Sequence, residues 1–177
     1  TLVPITVVET VKVHGNHTLT SKQLDETLMG VEGGEYREGK LPDIRANLLS
    51  LYQAEGYYHA AVTFRAEPAA QPHQVILHID VVEGEPTLIK QITFSGNTVF
   101  TDTQLLKAIK SKVGQPLRRD VLLDEDMQAL LRKYTEAGYP AAKPGPVSIS
   151  FSDTSAYVYI PGNEGPKVTV SFTGNRE

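Results

Sequence analysis

Hydrophobic and polar residues follow the two-residue period of a strand in some segments and the 3.6-residue period of a helix in others. The same succession of segments occurs twice along the chain. Strict alternation predicts a strand near the start of each copy, at residues 6–13 and around Ile92. Apolar residues three and four positions apart then predict two amphipathic helices per copy. A last pair of alternating segments, 62–66 and 75–81 in the first copy, predicts a β-hairpin. Each copy therefore has the element order strand, helix, helix, strand, strand.

The end of the second helix is the clearest landmark of the repeat. Residues 48–57 and 130–139 share the pattern Leu-Leu-x-x-Tyr-x-x-x-Gly-Tyr. We interpret Gly56 and Gly138 as structural residues just past the helix ends, because glycine takes a positive φ there at little cost.

The first predicted strand should bury alternate residues on one face, namely Val7, Val11 and Val13.

Turns and helix starts repeat with the same spacing. Gly15-Asn16 and Gly96-Asn97 each follow a predicted strand and are assigned to turns. A Thr-x-x-Gln capping box follows each turn, in which the threonine and glutamine side chains satisfy free amides at a helix start. The two boxes are Thr20 with Gln23 and Thr101 with Gln104. In the second copy, Asp120 is the predicted N-cap of the longer helix, which should bury Leu123, Met127, Leu130 and Tyr134.

The fold class predicted from this order is α+β, with two helices on one face of a three-stranded mixed sheet in each copy. The first and last strands can pair in parallel through a right-handed crossover, and the remaining strand then lies at an edge. A repeat of about 80 residues in a chain of 177 predicts two domains, residues 1–86 and 87–166. Residues 167–177, with a third Gly-Asn pair, are assigned to the first strand of a following domain.

Composition narrows the possible functions. The chain is 40% hydrophobic and 21% charged, which is typical of a folded globular protein. Its net charge of -4 argues against nucleic-acid binding as the main role. It contains no cysteine, so thiolate metal sites and disulfides are excluded, and no apolar run reaches the roughly 18 residues of a membrane-spanning helix.

Candidate chemical sites are weak. His14 and His17 have a spacing that could hold a metal, but a site needs three or four ligands, so a solvated turn is the preferred interpretation and no metal or cofactor is predicted. The acids at 124–126 are explained by the dipole at a helix start. No catalytic motif with a paired nucleophile and base occurs, so no enzyme activity is expected.

One region is locally basic, and two interpretations of it stay open. It could be a solvated helix face, or it could contact a neighbouring domain, an acidic partner or anionic lipid headgroups. The residues concerned are Lys107, Lys110, Lys112, Arg118 and Arg119.

The repeated order, the Gly-Asn turn, the Leu-Leu-x-x-Tyr-x-x-x-Gly-Tyr motif and the Glu-Gly-Pro type of link resemble tandem POTRA (polypeptide-transport-associated) domains. The links are Glu83-Gly84-Glu85-Pro86 and Glu164-Gly165-Pro166. The tandem arrangement is similar to that of the BamA-type outer-membrane protein assembly family, also called the surface antigen family. Two departures are Gly33-Gly34, which loosens a loop, and Pro161-Gly162, which should interrupt the last strand.

The resemblance implies a periplasmic part of a bacterial outer-membrane protein, with a C-terminal β-barrel beyond this chain. It also implies partners: unfolded outer-membrane proteins, accessory periplasmic lipoproteins and neighbouring POTRA domains. An alternative is a POTRA array of a two-partner secretion transporter or a division-type protein, which would serve as a structural protein–protein interaction module.

An edge strand of the second copy is the predicted client site. Edge strands present unpaired amides and carbonyls, and they are usually guarded by charges, bulges or prolines. This strand carries no charge between Pro146 and Ser152. The predicted site consists of Val147, Ser148, Ile149, Ser150 and Phe151, with Tyr157 and Tyr159 on the open sheet face beside it. The competing interpretation is that crystal or domain neighbours cover this edge and that it binds no client.

Overall fold

The computed structural model describes residues 4–169, which divide between two compact units with the boundary between Pro86 and Thr87. In the first unit a 3-10 turn, Glu38–Lys40, leads into the second helix. The elements of this unit are β1 (Val7–His14), α1 (Ser21–Thr27), α2 (Leu41–Ala54), β2 (Ala61–Pro68) and β3 (Gln74–Val82). This is the predicted order strand, helix, helix, strand, strand.

The second unit repeats this order with two additions. A π-helical segment, Val121–Asp126, precedes its second helix, and its edge strand is split into two pieces. Its elements are β4 (Leu88–Ser95), α3 (Asp102–Ala108), α4 (Met127–Glu136), β5 (Lys143–Pro144), β6 (Ser148–Ser152) and β7 (Ser155–Asn163). The α+β fold with tandem βααββ units is confirmed.

The sheets are mixed, as predicted. The first has the order β1-β3-β2, with β1 parallel to β3 and β2 antiparallel to it. In the second, β4 runs parallel to the central β7, while β5 and β6 both pair antiparallel with β7 on its other side. The sheet therefore has four strands where three were expected. Pro144 and Pro146 account for the break, because a proline has no amide for the ladder.

Two details of the strands differ from the sequence predictions. The register shifts between Val8 and Thr10, so Val8, which is 2% exposed, lies in the core where Val7 was predicted. An equivalent shift between Ile89 and Gln91 buries Ile89 in the second unit. These shifts are β-bulges, which insert a residue and invert the alternation before them. The expected interruption at Pro161-Gly162 is wrong, because β7 continues to Asn163.

Helix termini follow the local sequence signals. Both capping boxes form, with Gln23 N–H and Gln104 N–H donating to Thr20 and Thr101. Gly56 and Gly138 have φ values of 95° and 92°, the left-handed conformation required just past a helix end. The starts of α1 and α3 and the ends of α2 and α4 therefore lie where the sequence predicted them.

The core of the first unit lies between its helices and one face of its sheet. Leu48 and Tyr52 of α2 are fully buried against Leu77 and Ile79 of β3 and against Val62 of β2. Leu130 and Tyr134 of α4 occupy the same positions in the second unit, where β7 contributes Ala156, Val158 and Ile160. Burying such side chains contributes roughly 1.5–3 kcal/mol each.

The start of the longer helix in the second unit differs from the prediction. Asp120 is already helical and makes no capping hydrogen bond, so the predicted N-cap is wrong. Leu123 is 40% exposed, whereas Leu122 and Asp126 are fully buried. The π-helical turn holds more residues than an α-helical turn, so it rotates the buried stripe by about one position. Asp126 is consequently a core residue, whereas its neighbours Asp124 and Glu125 are exposed.

No helix within residues 4–169 combines the length and the apolar character needed to cross a membrane. Residues 167–169 have no regular secondary structure, and the rest of the predicted third-domain strand, including Gly174-Asn175, lies outside the described residues. The independence of the domains at 1–86 and 87–166 stays a prediction.

Candidate functional site

Within the part of the chain that the structure describes, the edge strand β6 has one hydrogen-bonded neighbouring strand, β7, on its inner side. It covers Ser148–Ser152, one residue later than the segment Val147–Phe151 predicted from sequence. Ser148 and Ser150 are exposed, Val147 and Ile149 are half-buried, and Phe151 is 49% exposed. The strand is therefore neutral along its length, with hydroxyl groups on one face and apolar side chains on the other.

An open sheet face lies beside this edge. Tyr157 and Tyr159 of β7 are 39% and 42% exposed, and the register places Ser150 opposite Tyr157 and Ser148 opposite Tyr159. On the other side of β7, Ser95 Oγ and the Tyr159 hydroxyl are 2.7 Å apart. A shallow depression of about 200 Å³ on this face is also lined by Gln91 and Thr93 of β4. The face thus combines aromatic area with neutral hydrogen-bonding groups.

The corresponding edge of the first unit is charged. Arg65 of β2 donates from Nε to Asp80 Oδ2 over 2.7 Å, and Glu67 lies 2.9 Å from His78 Nε2. Pro68 ends the strand and removes one amide. Charges and a terminal proline are typical guards of an edge strand, so β2 is the poorer template for strand addition.

The Gly-Asn turns are held by an acid from the far end of each unit, a contact that we name the turn clamp. In the first unit, Glu83 accepts hydrogen bonds from the N–H groups of His17 and Thr18 at 2.7 and 2.9 Å. In the second, Glu164 accepts from the N–H groups of Thr98 and Val99, both at 2.9 Å. The hydroxyl groups of Thr18 and Thr98 also donate to these carboxylates.

Asparagine and tyrosine side chains complete each turn. Asn16 Oδ1 accepts from Leu19 N–H at 3.0 Å and from the Tyr52 hydroxyl at 2.7 Å. Asn97 Nδ2 donates to the Phe100 carbonyl at 2.9 Å, and in this unit the tyrosine hydroxyl of Tyr134 donates to Glu164 at 3.1 Å. The repeated tyrosine therefore ties the second helix to the turn as well as filling the core.

A family comparison assigns this architecture. The POTRA family model, described as a surface antigen variable number repeat, matches residues 6–84 and again residues 87–174. The chain belongs to the POTRA family. The two matched segments correspond to the two compact units, and the turn clamp is formed once within each POTRA unit.

Two curated relatives give the context of this assignment. A provisionally named outer membrane protein assembly factor of Treponema pallidum (strain Nichols) is 29% identical over 77% of this chain and 16% of its own length. The outer membrane protein assembly factor BamA of Neorickettsia risticii (strain Illinois) is 27% identical over 63% of this chain and 15% of its own length. The chain thus spans about one-sixth of the length of these curated relatives.

A solved structure shares the fold. The crystal structure of BamA from Haemophilus ducreyi lacking POTRA domains 1–3 has a TM-score of 0.50 and 18% sequence identity, over 91% of this chain and 29% of that chain. At this identity the likeness concerns the fold alone.

The remaining candidates from the sequence lie elsewhere in these POTRA units. Among residues 4–169 no group of three or more histidine or acidic side chains could hold a metal ion, and His14 contacts His78 instead of His17. In the basic region, Lys110 pairs with Glu125, and Lys112 Nζ donates to the Ile109 carbonyl at 2.6 Å. These two lysines are therefore engaged within the second unit.

The carboxylates of the turn clamp titrate below their ordinary range. Burial alone would raise the pKa of Glu83, but the N–H groups of His17 and Thr18 and the Thr18 hydroxyl donate to it and lower the pKa. Burial opposes ionisation of Glu164 in the same way, and donation from the Thr98 hydroxyl and the nearby amides lowers its pKa. Both clamps are thus ionised at neutral pH.

Acid should release both clamps. A carboxyl group with a lowered folded-state pKa stabilises the fold above its unfolded pKa of about 4.3, and this contribution is lost as pH falls through the folded-state pKa. The urea midpoint of the wild type should therefore drop steeply below about pH 4.3. Glu83→Gln with Glu164→Gln should be less stable at neutral pH and show a shallower drop. Parallel curves for the two proteins would contradict the assignment.

Proposed function

We propose that the second POTRA unit receives an extended segment of an unfolded outer-membrane protein as an added strand beside Val147–Phe151. The observation that carries this proposal is the uncharged edge strand β6, for which β7 is the paired strand within residues 4–169. Strand addition forms main-chain hydrogen bonds, so it accepts many sequences, and pockets for alternate side chains then select among them. Of the two hairpin edges, β2 and β6, the one without charges is the better template.

The backbone geometry supports Ile149 as the centre of the contact. Asp153 and Thr154 form a two-residue turn that joins Ser152 to Ser155, and alternate residues of an antiparallel ladder direct their N–H and C=O groups away from the partner strand. Counting from Ser152, Ile149 belongs to the outward-directed set. An incoming strand would therefore exchange hydrogen bonds with the N–H and C=O of Ile149.

The side chains around this edge suit a strand with alternating character. Residues of the incoming strand on the face shared with Ser148 and Ser150 would approach Tyr157 and Tyr159, which supply aromatic contact area and hydroxyl groups. Residues on the opposite face would extend the apolar side of Ile149. An alternating polar and apolar segment is the type of sequence that a membrane β-strand provides.

The names of the relatives support a setting for this proposal in outer-membrane assembly. They are named outer membrane protein assembly factors, and POTRA units of such proteins are periplasmic parts of bacterial outer-membrane proteins. The localisation of this chain is accordingly periplasmic. Its further partners in this proposal are accessory periplasmic lipoproteins and neighbouring POTRA units, and it acts by binding and not by catalysis.

The test measures peptide binding to the whole 177-residue chain by nuclear magnetic resonance shift mapping. The probe is a ten-residue peptide of alternating apolar and polar residues, about the length of one membrane β-strand. Ser148→Lys with Ser150→Lys places two charges on the edge without changing the core and should weaken binding about tenfold. Ile149→Pro removes one outward amide and should weaken binding to a similar extent.

A matched control separates charge from side-chain size. Ser148→Thr with Ser150→Thr keeps the edge neutral and favours a strand, so it should bind the peptide as the wild type does. Unchanged affinity of the lysine variant at equal stability, or shifts centred on residues outside β6 and β7, would refute the proposal. That outcome would favour the alternative of a structural module array.

A further inference from the structure

The open sheet face of the first unit carries a chain of three titratable side chains, one from each strand. His78 of β3 is 8% exposed, and its Nε2 lies 2.9 Å from Glu67 Oε2 of β2. Its Nδ1 lies 3.0 Å from Nε2 of His14 on β1. The two imidazole rings are nearly parallel, with an interplanar angle of 13°. We name this arrangement the histidine chain.

The carboxylate fixes where the protons are. An ionised carboxylate accepts hydrogen bonds only, so His78 donates its Nε2–H to Glu67. In neutral His78 the Nδ1 is then an acceptor, and His14 donates from Nε2. If the pair gains one proton, either His14 takes it at Nδ1 and still donates from Nε2, or His78 takes it at Nδ1 and donates to His14, so the hydrogen bond between the rings is kept. A second proton would place N–H groups on both facing nitrogens, and the hydrogen bond between the rings could not form.

The charged groups that face the pair from the three strands are two cations and two carboxylates. The register places Lys12 of β1 and Arg65 of β2 on either side of His78, so a doubly protonated pair would have two more cations beside it. Asp80 faces His14 in the register, but its carboxylate is already held by Arg65 at 2.7 Å. The two cations are thus balanced by the carboxylates of Asp80 and Glu67, and the second proton is opposed by the two facing N–H groups.

The second unit has a natural counterpart that does not respond to pH near neutrality. The strand registers of the two units correspond, so Ser95 occupies the position of His14 and Tyr159 the position of His78. The Ser95 and Tyr159 hydroxyl oxygens are 2.7 Å apart. Hydroxyl groups neither gain nor lose a proton between about pH 5 and pH 8. The same strand-to-strand contact is thus built from titratable groups in one unit and from non-titratable groups in the other.

We propose that the histidine chain makes the first unit, and not the second, sensitive to acid in the range just below neutral pH. Uptake of a second proton by the pair breaks the side-chain hydrogen bond between His14 of β1 and His78 of β3 and adds positive charge to the open face. The loss is local, because the turn clamp at Glu83 stays ionised in this range and holds the following turn. Partner binding to this face would then change with the pH of the surroundings.

Amide hydrogen exchange in the whole chain tests the proposal, with Val13 and Ile79 as reporters of the first unit and Val158 of the second. Below about pH 6.5 the unfolded chain can take up a proton on each of His14 and His78, whereas the intact hydrogen bond between them allows one added proton on the pair. Protection in the first unit should therefore fall by up to about tenfold per pH unit below that value, relative to the second unit. Imidazole nitrogen shifts should show the His78 Nε2–H tautomer at neutral pH.

Two variants make the result decisive. His14→Ser with His78→Tyr imports the contact of the second unit and should remove the extra pH dependence of the first unit. His59→Gln changes an exposed histidine of the same unit and should leave that dependence intact. The proposal is overturned if the double variant keeps the wild-type pH dependence, or if both units of the wild type lose protection in parallel.

Discussion

Replacing Gly96 with alanine is expected to destabilise the second unit by roughly 3 kcal/mol or more. Gly96 has a φ of +72°, and a Cβ atom there would lie 2.1 Å from the carbonyl oxygen of Gly162. The left-handed conformation alone costs an alanine about 1–2 kcal/mol. The clash adds to this cost because the carbonyl belongs to the backbone of β7 and can move only if the central strand moves. The loss of unfolding free energy is measured by denaturant unfolding, with amide exchange in β7 as the reporter of the second unit.

A second glycine of the same unit provides the control. Gly114 has a φ of +85°, but a Cβ atom there would meet no atom within 4 Å. Gly114→Ala should therefore cost only about 1–2 kcal/mol, the strain of the backbone conformation. Gly15→Ala should repeat the large effect in the first unit, because its Cβ would lie 2.1 Å from the Val81 carbonyl oxygen. Equal losses for Gly96→Ala and Gly114→Ala would show that the close approach to β7 does not matter.

Replacing Asp126 with alanine should destabilise the second unit by about 3 kcal/mol. The Asp126 carboxylate has no solvent exposure, and it accepts hydrogen bonds from the N–H groups of Lys110 at 2.6 Å and Ser111 at 3.1 Å. Alanine would leave these two amides without their partner, and each buried unsatisfied donor costs about 1–3 kcal/mol. Amide exchange at Lys110 and Ser111 should accelerate most.

Neighbouring substitutions separate this role from a general effect of charge. Asp124 lies two positions earlier on the exposed side of the same segment, and Asp124→Ala should change stability by less than about 0.5 kcal/mol. Asp126→Asn keeps one carbonyl acceptor and should fall between the two. If Asp126→Ala were as mild as Asp124→Ala, the carboxylate would not be the anchor of the segment after α3.

Much of the fold follows from local sequence signals. The capping boxes at Thr20 and Thr101 and the glycines at 56 and 138 act on backbone groups within four residues, so their roles could be predicted directly. The repeated succession of strand-like and helix-like hydrophobic patterns predicted two tandem units and the α+β fold class. The edge position of β6 also followed, because a hairpin after a parallel crossover leaves its first strand outside.

Other features depended on contacts between distant residues. The turn clamp joins residues 66 apart, as in His17 with Glu83, and nothing in the spacing of a Glu-Gly-Pro link indicates its partner. Asp126 lies next to two exposed acids in the sequence, and only the π-helical turn directs it into the core. The histidine chain likewise required the register of three strands.

The sequence by itself determined the repeated elements, their caps and turns, the family and the uncharged edge, because each depends on residue type within one short segment. The tertiary structure decided which buried polar groups meet: Glu164 with its turn, Asp126 with Lys110, and His14 with His78. The physical reason is that a buried polar side chain must find a hydrogen-bond partner, but that partner is selected by strand register and bulges, which a one-residue shift reverses.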